Sequence, residues 1–321
     1  MKSLLALVFI IVLAFIILGI GRFDLSYAQI LDILLGKSEG KEAFILLEVR
    51  LPRVILALIV GAGLGIAGAS FQAIFRNALA SPDILGVASG AGFGAILALL
   101  FGLNIYLLST FSFVFGILSL LLVLFVARDS HNKIMIILSG IIISALFQSF
   151  ISLLKYIADP QDTLPIITYW LLGSLQVGDL KQMIVCSLGI FIGSFVLFIY
   201  RWKHNLLMLD DMEARSLGLN IARLRIILIF ASTLIIACVV SMCGIIGWIG
   251  LVVPHITRMI VGFNAARVLT LSLFVGAVFM LIIDTLSRSL SQQEIPISIL
   301  SAVVGAPFFI IILYKAKGMK I

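Results

Sequence analysis

Six charged residues crowd into the sixteen of Asp210–Arg225, DDMEARSLGLNIARLR, in a chain of which only 12% is charged. Asp210, Asp211, Glu213 and Arg215 precede Gly218, and Arg223 and Arg225 follow it. Met212, Ala214, Leu217, Leu219, Ile221 and Leu224 supply apolar positions between them. The chemistry open to such a set is recognition, with ion pairs ringed around an apolar strip. Two short amphipathic helices joined by a turn at Gly218 are expected, because glycine enters the left-handed region without a Cβ penalty. Charge of this density cannot sit in hydrocarbon, so the segment reads as a surface held by another protein.

Other reactive residue types are sparse. His131, His204 and His255 are scattered without metal-ligand spacing, and Cys186, Cys238 and Cys243 all lie in apolar runs, where small buried residues are the expected reading. His255 follows Pro254 and is expected to satisfy backbone that the proline exposes. No G-x-x-x-x-G-K-[ST], H-E-x-x-H or G-x-S-x-G occurs, so the chain is expected neither to bind ATP itself nor to be an enzyme, and no cofactor or metal is implied. Gly63-Leu64-Gly65-Ile66-Ala67-Gly68 matches G-x-G-x-x-G, but no strand or ribose-binding acid accompanies it. Gly61 and Gly65, four apart, instead predict a close helix–helix contact, as do Gly86, Gly90 and Gly94.

The elements that carry these residues are set by hydropathy. The chain has 321 residues, 62% of them hydrophobic, with a mean hydropathy of +1.27. A bilayer core of ~30 Å needs roughly 20 apolar residues per spanning helix. Ten apolar runs are visible, at about 3–20, 51–71, 84–103, 106–126, 134–156, 183–200, 226–243, 249–261, 268–287 and 297–313. The expected fold class is therefore an all-α polytopic membrane protein in the lipid bilayer. The alternation of a transmembrane barrel is missing, and no basic patch with interleaved aromatics points to nucleic acid. Ser26-Tyr27-Ala28 resembles a signal-peptidase site, but the preceding run is long enough to span and is expected to remain as the first helix.

Ten spans place both termini on one side. That side carries 14 basic and 5 acidic residues, and the other carries 8 and 10. Basic loops stay in the cytoplasm, so both termini and Asp210–Arg225 are expected there. Within the spans, Gly140, Ser144, Gln148 and Ser152 form a polar stripe at spacing four, and Ser298, Ser301 and Gly305 share a face of the last run. Polar stripes in lipid face protein or a water-filled path. Asp284 and Arg288, four apart, form a favourable acid-before-base pair and are the one candidate for a proton relay.

Longer motifs bring these pieces under one family. Leu51-Pro52-Arg53 and Gln72 to Gly86 (QAIFRNALASPDILG) resemble L-P-R and Q-x-x-x-R-N-P-L-A-x-P-x-x-L-G. Tyr169–Leu175 resembles Y-W-x-x-G-S-L, and Gly247–Arg258 resembles G-x-x-G-L-x-x-P-H-x-x-R. Glu294-Ile295-Pro296-Ile297 and Gly305-Ala306-Pro307-Phe308 resemble E-L-P-x-G and G-x-P-x-F. Ala78 replaces the usual proline and Ser298 the usual glycine. Together these resemble the FecCD-type permeases of ABC importers for iron–siderophores, haem, cobalamin and, in some members, molybdate. The resemblance implies type II ABC importer permease architecture, with residues 1–321 as one transmembrane domain and cytoplasmic coupling helices at about 209–222.

It further implies a bacterial inner-membrane homodimer with two ATP-binding cassette ATPase subunits and an extracytoplasmic substrate-binding protein. Asp210, Asp211, Glu213, Ala214, Arg215, Leu217 and Gly218 would meet the ATPase, and Arg50, Arg53 and Arg288 the binding protein. Ser144, Gln148, Ser152, Ser298 and Ser301 are the candidates for the translocation path. An iron–siderophore is the expected cargo, on family frequency. A stand-alone secondary transporter or channel is the competing reading, and dependence on a separate ATPase separates the two.

Overall fold

The computed structural model of the chain describes residues 2–128, 132–209, 211–216, 218 and 220–316. Its helices are α1 (Lys2–Gly19), α2 (Tyr27–Leu34), α3 (Lys41–Phe44), α4 (Leu51–Phe75), α5 (Val87–Leu100), α6 (Ile105–Ala127), α7 (Lys133–Ile157) and α8 (Thr163–Leu171). There follow α9 (Leu180–Ile199), α10 (Arg201–Leu207), α11 (Asp211–Ser216), α12 (Ile221–Cys243), α13 (Ile249–Val261), α14 (Ala265–Ser289) and α15 (Ile297–Ala316). A π-helical stretch, Ile45–Arg50, fuses α3 to α4, and a 3₁₀ turn, Pro82–Leu85, precedes α5. No strand occurs among the described residues.

Every expected apolar run is helical. Six helices are long and apolar enough to cross a membrane: Lys41–Phe75, α6, α7, α9, α12 and α14. The other four runs form shorter apolar helices, Ala6–Gly19, Val87–Leu100, Ile249–Val261 and Ile297–Ile312. Burial orders the long ones. The most apolar window is 78% buried in Lys41–Phe75 and 72% in α12, against 33% in α6, α7 and α9, so the first two are the centre of the bundle.

The glycines of α4 explain how it reaches the centre. A Cβ on Gly61 would lie 2.2 Å from Gly276 O of α14, and one on Gly65 would lie 2.3 Å from Ser272 O. A Cβ on Gly68 would lie 2.0 Å from Gly250 O of α13. These are contacts with backbone, which cannot rotate away, so the dinucleotide-like motif is a packing seam. Gly90 and Gly94 of α5 approach Phe115 O and Phe111 O of α6 in the same way. Gly61→Val is expected to cost at least the upper end of the ~1–3 kcal/mol typical of overpacking. The folded peak in detergent size-exclusion chromatography should then be largely lost, whereas Gly247→Ala, where a Cβ meets nothing within 4 Å and φ is not positive, should leave it intact.

Two of the short helices begin inside the protein. Chain 76–86 is exposed at 76–79 and turns inward at Ala80, Pro82 and Leu85 before α5 starts, with Arg76 and Gly86 in the left-handed region at φ 51° and 71°. Chain 244–248 leads into α13, with Gly244 at φ 71° and Trp248 at φ 69°. The two breaks touch, because a Cβ on Gly250 would lie 3.0 Å from Pro82 Cδ. Buried irregular backbone must find partners within the protein. Ser119 Oγ donates to Gly86 O at 2.8 Å, and Ser174 N donates to Cys243 O at 2.8 Å. Ile297 N and Ser298 N donate to Gly173 O and Leu172 O, which ties the start of α15 to the end of α8.

Candidate functional site

Local sequence explains most of the charged segment's shape. α11 runs from Asp211 to Ser216, and Gly218 follows at φ 79°, a conformation that suits glycine. Asn220 Oδ1 accepts from Arg223 N at 3.0 Å and caps α12. The expected second short helix is thus the first turns of the 23-residue α12, which starts five residues earlier than hydropathy indicates. Glu213, Ser216 and Gly218 are exposed, while Ala214 is 1% exposed and anchors α11. Asp210 and Leu217 lie outside the described residues, as do the side chains of Asp211 and Arg215. Arg225 departs from the expected charged face, because it is fully buried.

The segment is tied to α4 through α10, a helix that hydropathy alone does not mark. Arg76, at the end of α4, donates from Nε to Leu207 O at 2.8 Å and also bonds Leu209 O. His204 of α10 is completely buried, with Nδ1 3.0 Å from Tyr200 O and Nε2 2.9 Å from Ser70 Oγ of α4. A carbonyl only accepts, so Nδ1 carries the proton, Nε2 is the acceptor and the Ser70 hydroxyl donates. Burial lowers the His204 pKa from 6.5 to about 4. An unfolded chain therefore takes up a proton between those values that the folded chain refuses. Stability should fall as pH falls through that window, by up to about 1.4 kcal/mol per pH unit for this one proton. Thermal melts of His204→Gln should show a correspondingly flatter pH slope; parallel slopes would remove His204 as the source.

The other end of α4 enters a buried ionic cluster. Arg53 Nε donates to Asp284 Oδ1 at 2.8 Å, and its Nη1 reaches both carboxylate oxygens of Glu294 at 2.9 and 3.0 Å. Arg288 Nε lies 3.6 Å from Asp284 Oδ2, and its two terminal nitrogens donate to Ile20 O and Ile17 O of the α1 end. Arg50 donates to Leu18 O at 2.7 Å and to Phe23 O. Gln176 Nε2 adds a bond to Glu294 Oε2 at 3.3 Å. Arg50, Arg53 and Arg288 are 6%, 7% and 8% exposed. All three side chains, expected to meet the binding protein, are turned inward and lock α1, α4, α14 and the α14–α15 loop together. Asp284, with both arginines on it, anchors that lock.

The expected path residues fall into two groups with no hydrogen bond between them among the described residues. On α7, Gln148 Nε2 donates to Ser89 Oγ of α5 at 3.2 Å, and Ser152 Oγ bonds back to Gln148 O at 3.0 Å. Gln148 and Ser152 are exposed and Ser144 is half-buried, close to where Gly86 lacks a side chain. On α15, Ser301 is fully buried and donates to Ser298 O at 3.1 Å, while Ser298 is half-buried. The α7 group therefore offers polar surface, and Ser301 does not.

Two sites escaped the sequence reading. Asp83, in the 3₁₀ turn, is an exposed carboxylate on the broken segment, with Ser81 Oγ donating to its Oδ2 at 3.0 Å. Its signal, an acid flanked by Pro82 and Ile84, resembles an ordinary loop. Arg258 of α13 donates to Gln72 Oε1 of α4 and sits 3.3 Å from His255 Nδ1. His255 packs against Phe309 at 5.6 Å between ring centroids. Among the described residues it meets a side chain and a ring, and not the proline-exposed backbone that the sequence predicts.

A family model described as the FecCD transport family matches residues 7–315. The chain belongs to the FecCD transport family. Among FecCD relatives, the molybdate import system permease protein MolB of Haemophilus influenzae is 43% identical over 315 residues, covering 96% of this chain and 94% of that one. The Fe(3+)-citrate import system permease protein YfmE of Bacillus subtilis is 36% identical, covering 95% and 92%. The hemin transport system permease protein HmuU of Yersinia pestis is 33% identical, covering 98% and 95%. A solved structure of an inward-facing metal-chelate type ABC transporter superposes with a TM-score of 0.87 at 42% identity and covers 97% of each chain.

Proposed function

We propose that this chain is the transmembrane permease subunit of a binding-protein-dependent ABC importer for a metal-bearing solute. The observation that carries the proposal is the family match over residues 7–315, with no phosphate loop in the chain to supply energy. Residues 1–321 act as one domain with ten spans and cytoplasmic termini, in a bacterial inner membrane. The charge asymmetry supports that orientation. A second copy completes the path, two ATPases dock below, and a binding protein docks outside.

Coupling passes through α11 and its flanks, with Asp210, Asp211, Glu213, Ala214, Arg215, Leu217 and Gly218 at or behind the ATPase contact. The exposure of Glu213 and Gly218 and the anchoring of Ala214 support this. On the outer side, Arg50, Arg53 and Arg288 serve docking by fixing the rim rather than by offering free charge. Ser144, Gln148 and Ser152 line the path from α7, and Ser298 borders it from α15. ATP-driven movement of α11 reaches α4 through the Ser70–His204 and Arg76 bonds.

For cargo, two readings stand beside each other. An iron chelate fits the hemin and Fe(3+)-citrate relatives, and molybdate is favoured by the 43% identity to MolB. The test is reconstitution in proteoliposomes with the ATPase and binding protein. Uptake should vanish when the Walker lysine of the ATPase is changed, and metal analysis of the purified binding protein should show iron or molybdenum. Uptake that persists without the ATPase would sink the importer reading and leave a secondary transporter.

A further inference from the structure

A groove of about 830 Å³ opens where α1, α10, α13 and α14 meet. Its rim carries Arg201, Trp202 and Arg267, and its walls below include Ile260, Leu271 and Phe274. Among the described residues, no acidic one lines it. A second cavity of about 560 Å³ lies between α4, α9 and α14 and shares Thr270 and Phe274 with the first. Its walls are almost wholly apolar, with Phe191, Phe195, Phe198 and Leu273 prominent. The cationic groove therefore adjoins an aromatic and aliphatic slot along α9.

Arg201 sits at the junction. Its guanidinium lies 4.0 Å from the Phe198 ring centroid and 5.7 Å from Trp202, and one nitrogen donates to Phe198 O at 2.9 Å. That is its one hydrogen bond among the described residues, so most of the guanidinium fork is open to an outside acceptor. Arg267 is exposed, and its side chain makes no hydrogen bond or ion pair among the described residues. Trp202 is 59% exposed, in keeping with a ring seated at a membrane interface. The charge count puts Arg201 and Arg267 on the cytoplasmic side, where the leaflet is anionic.

We infer that this groove binds one anionic glycerophospholipid of the inner leaflet. Arg201 and Arg267 take the phosphate-bearing headgroup, and an acyl chain lies in the Phe191–Phe198 slot. Charge complementarity picks an anion, and the apolar lining of the adjoining slot suits an anion that carries a hydrocarbon chain. The inference depends on membrane insertion and not on what is transported.

The test uses the full-length chain, purified and delipidated in mild detergent. Native mass spectrometry and thermal melts are recorded with phosphatidylglycerol, phosphatidylcholine or glycerol 3-phosphate added. Phosphatidylglycerol should be retained and should raise the Tm, and the other two should not. Each of Arg201→Gln and Arg267→Gln should weaken retention roughly fivefold, and Arg201→Lys should recover much of it. Ser194→Trp, which fills the slot without touching charge, should expel the lipid. Equal retention of phosphatidylcholine would overturn the inference. So would stabilisation by glycerol 3-phosphate alone, which makes the site a phosphate site, or occupation of the groove by a second copy in cross-linking. Should the glutamine variants not fold, the wild-type preference between the two lipids decides by itself.

Discussion

Asp284→Ala is expected to lower stability by about 3–5 kcal/mol, the cost of breaking a buried ion pair by removing one partner. Asp284 is 0% exposed and is the carboxylate between Arg53 and Arg288. Its loss strands two guanidinium groups that are themselves less than a tenth exposed. Arg53 would keep Glu294, but Arg288 would keep only its two carbonyl acceptors near the end of α1. Glu294→Gln should cost far less, near 1 kcal/mol, because that side chain is 25% exposed and an amide still accepts from Arg53. The paired change Arg53→Met with Asp284→Leu should recover part of the loss, since well-packed apolar groups often replace a buried pair at little cost. Fluorescence-detected melting in detergent reads all three. An unchanged Tm in Asp284→Ala would mean that the cluster is not what holds α1 and α4 to α14.

Two residues inserted after Gly218 are expected to reduce uptake roughly tenfold or more, while the membrane fold and the partner's ATP hydrolysis survive. The size follows from geometry. Gly218 is exposed, and a Cβ there would meet nothing within 4 Å, so the insertion enters at an open turn. What it changes is the phase between α11 and α12, whose first turns are already buried at Ile221, Leu224 and Arg225. A charge-reversing Glu213→Arg should act in the same direction without lengthening the chain. Comparing uptake per ATP hydrolysed in proteoliposomes measures the effect. Normal coupling in both variants would take the segment out of the drive train.

What the sequence made legible follows from what helical periodicity and hydropathy measure. The glycine spacing in α4 and α5 reports a local property, side-chain size on one face, and the contacts of Gly61, Gly65, Gly90 and Gly94 are where that spacing puts them. The Asp284–Arg288 pair was legible for the same reason, four residues apart on one helix. Arg53 with Asp284 was not, because 231 residues separate them and nothing local distinguishes a helix-end arginine facing water from one facing a carboxylate. Arg225 was misread because an isolated arginine after an amphipathic turn has the same pattern whether its face is wet or packed. α10 was hidden because its Arg201, Lys203 and His204 depress hydropathy, although His204 is completely buried. The breaks at 76–86 and 244–248 were visible as short polar or glycine-rich stretches, but their meeting at Pro82 and Gly250 is a tertiary fact.

α4 is 25 residues long, about 38 Å at 1.5 Å per residue, and no proline follows Pro52 within it. Four glycines would make such a helix pliant in isolation. Pressed against the backbones of α13 and α14, and pinned at Arg53, Ser70, Gln72 and Arg76, it has no room to bend. The three helices then behave as a slab, and compliance has to reside in the joints at its edges, 76–86 and 244–248. In engineering terms the protein stores no signal along α4; it transmits displacement. Stiffening a joint, for example with a disulfide across Pro82 and Gly250, should therefore freeze the transporter more effectively than any substitution along the slab.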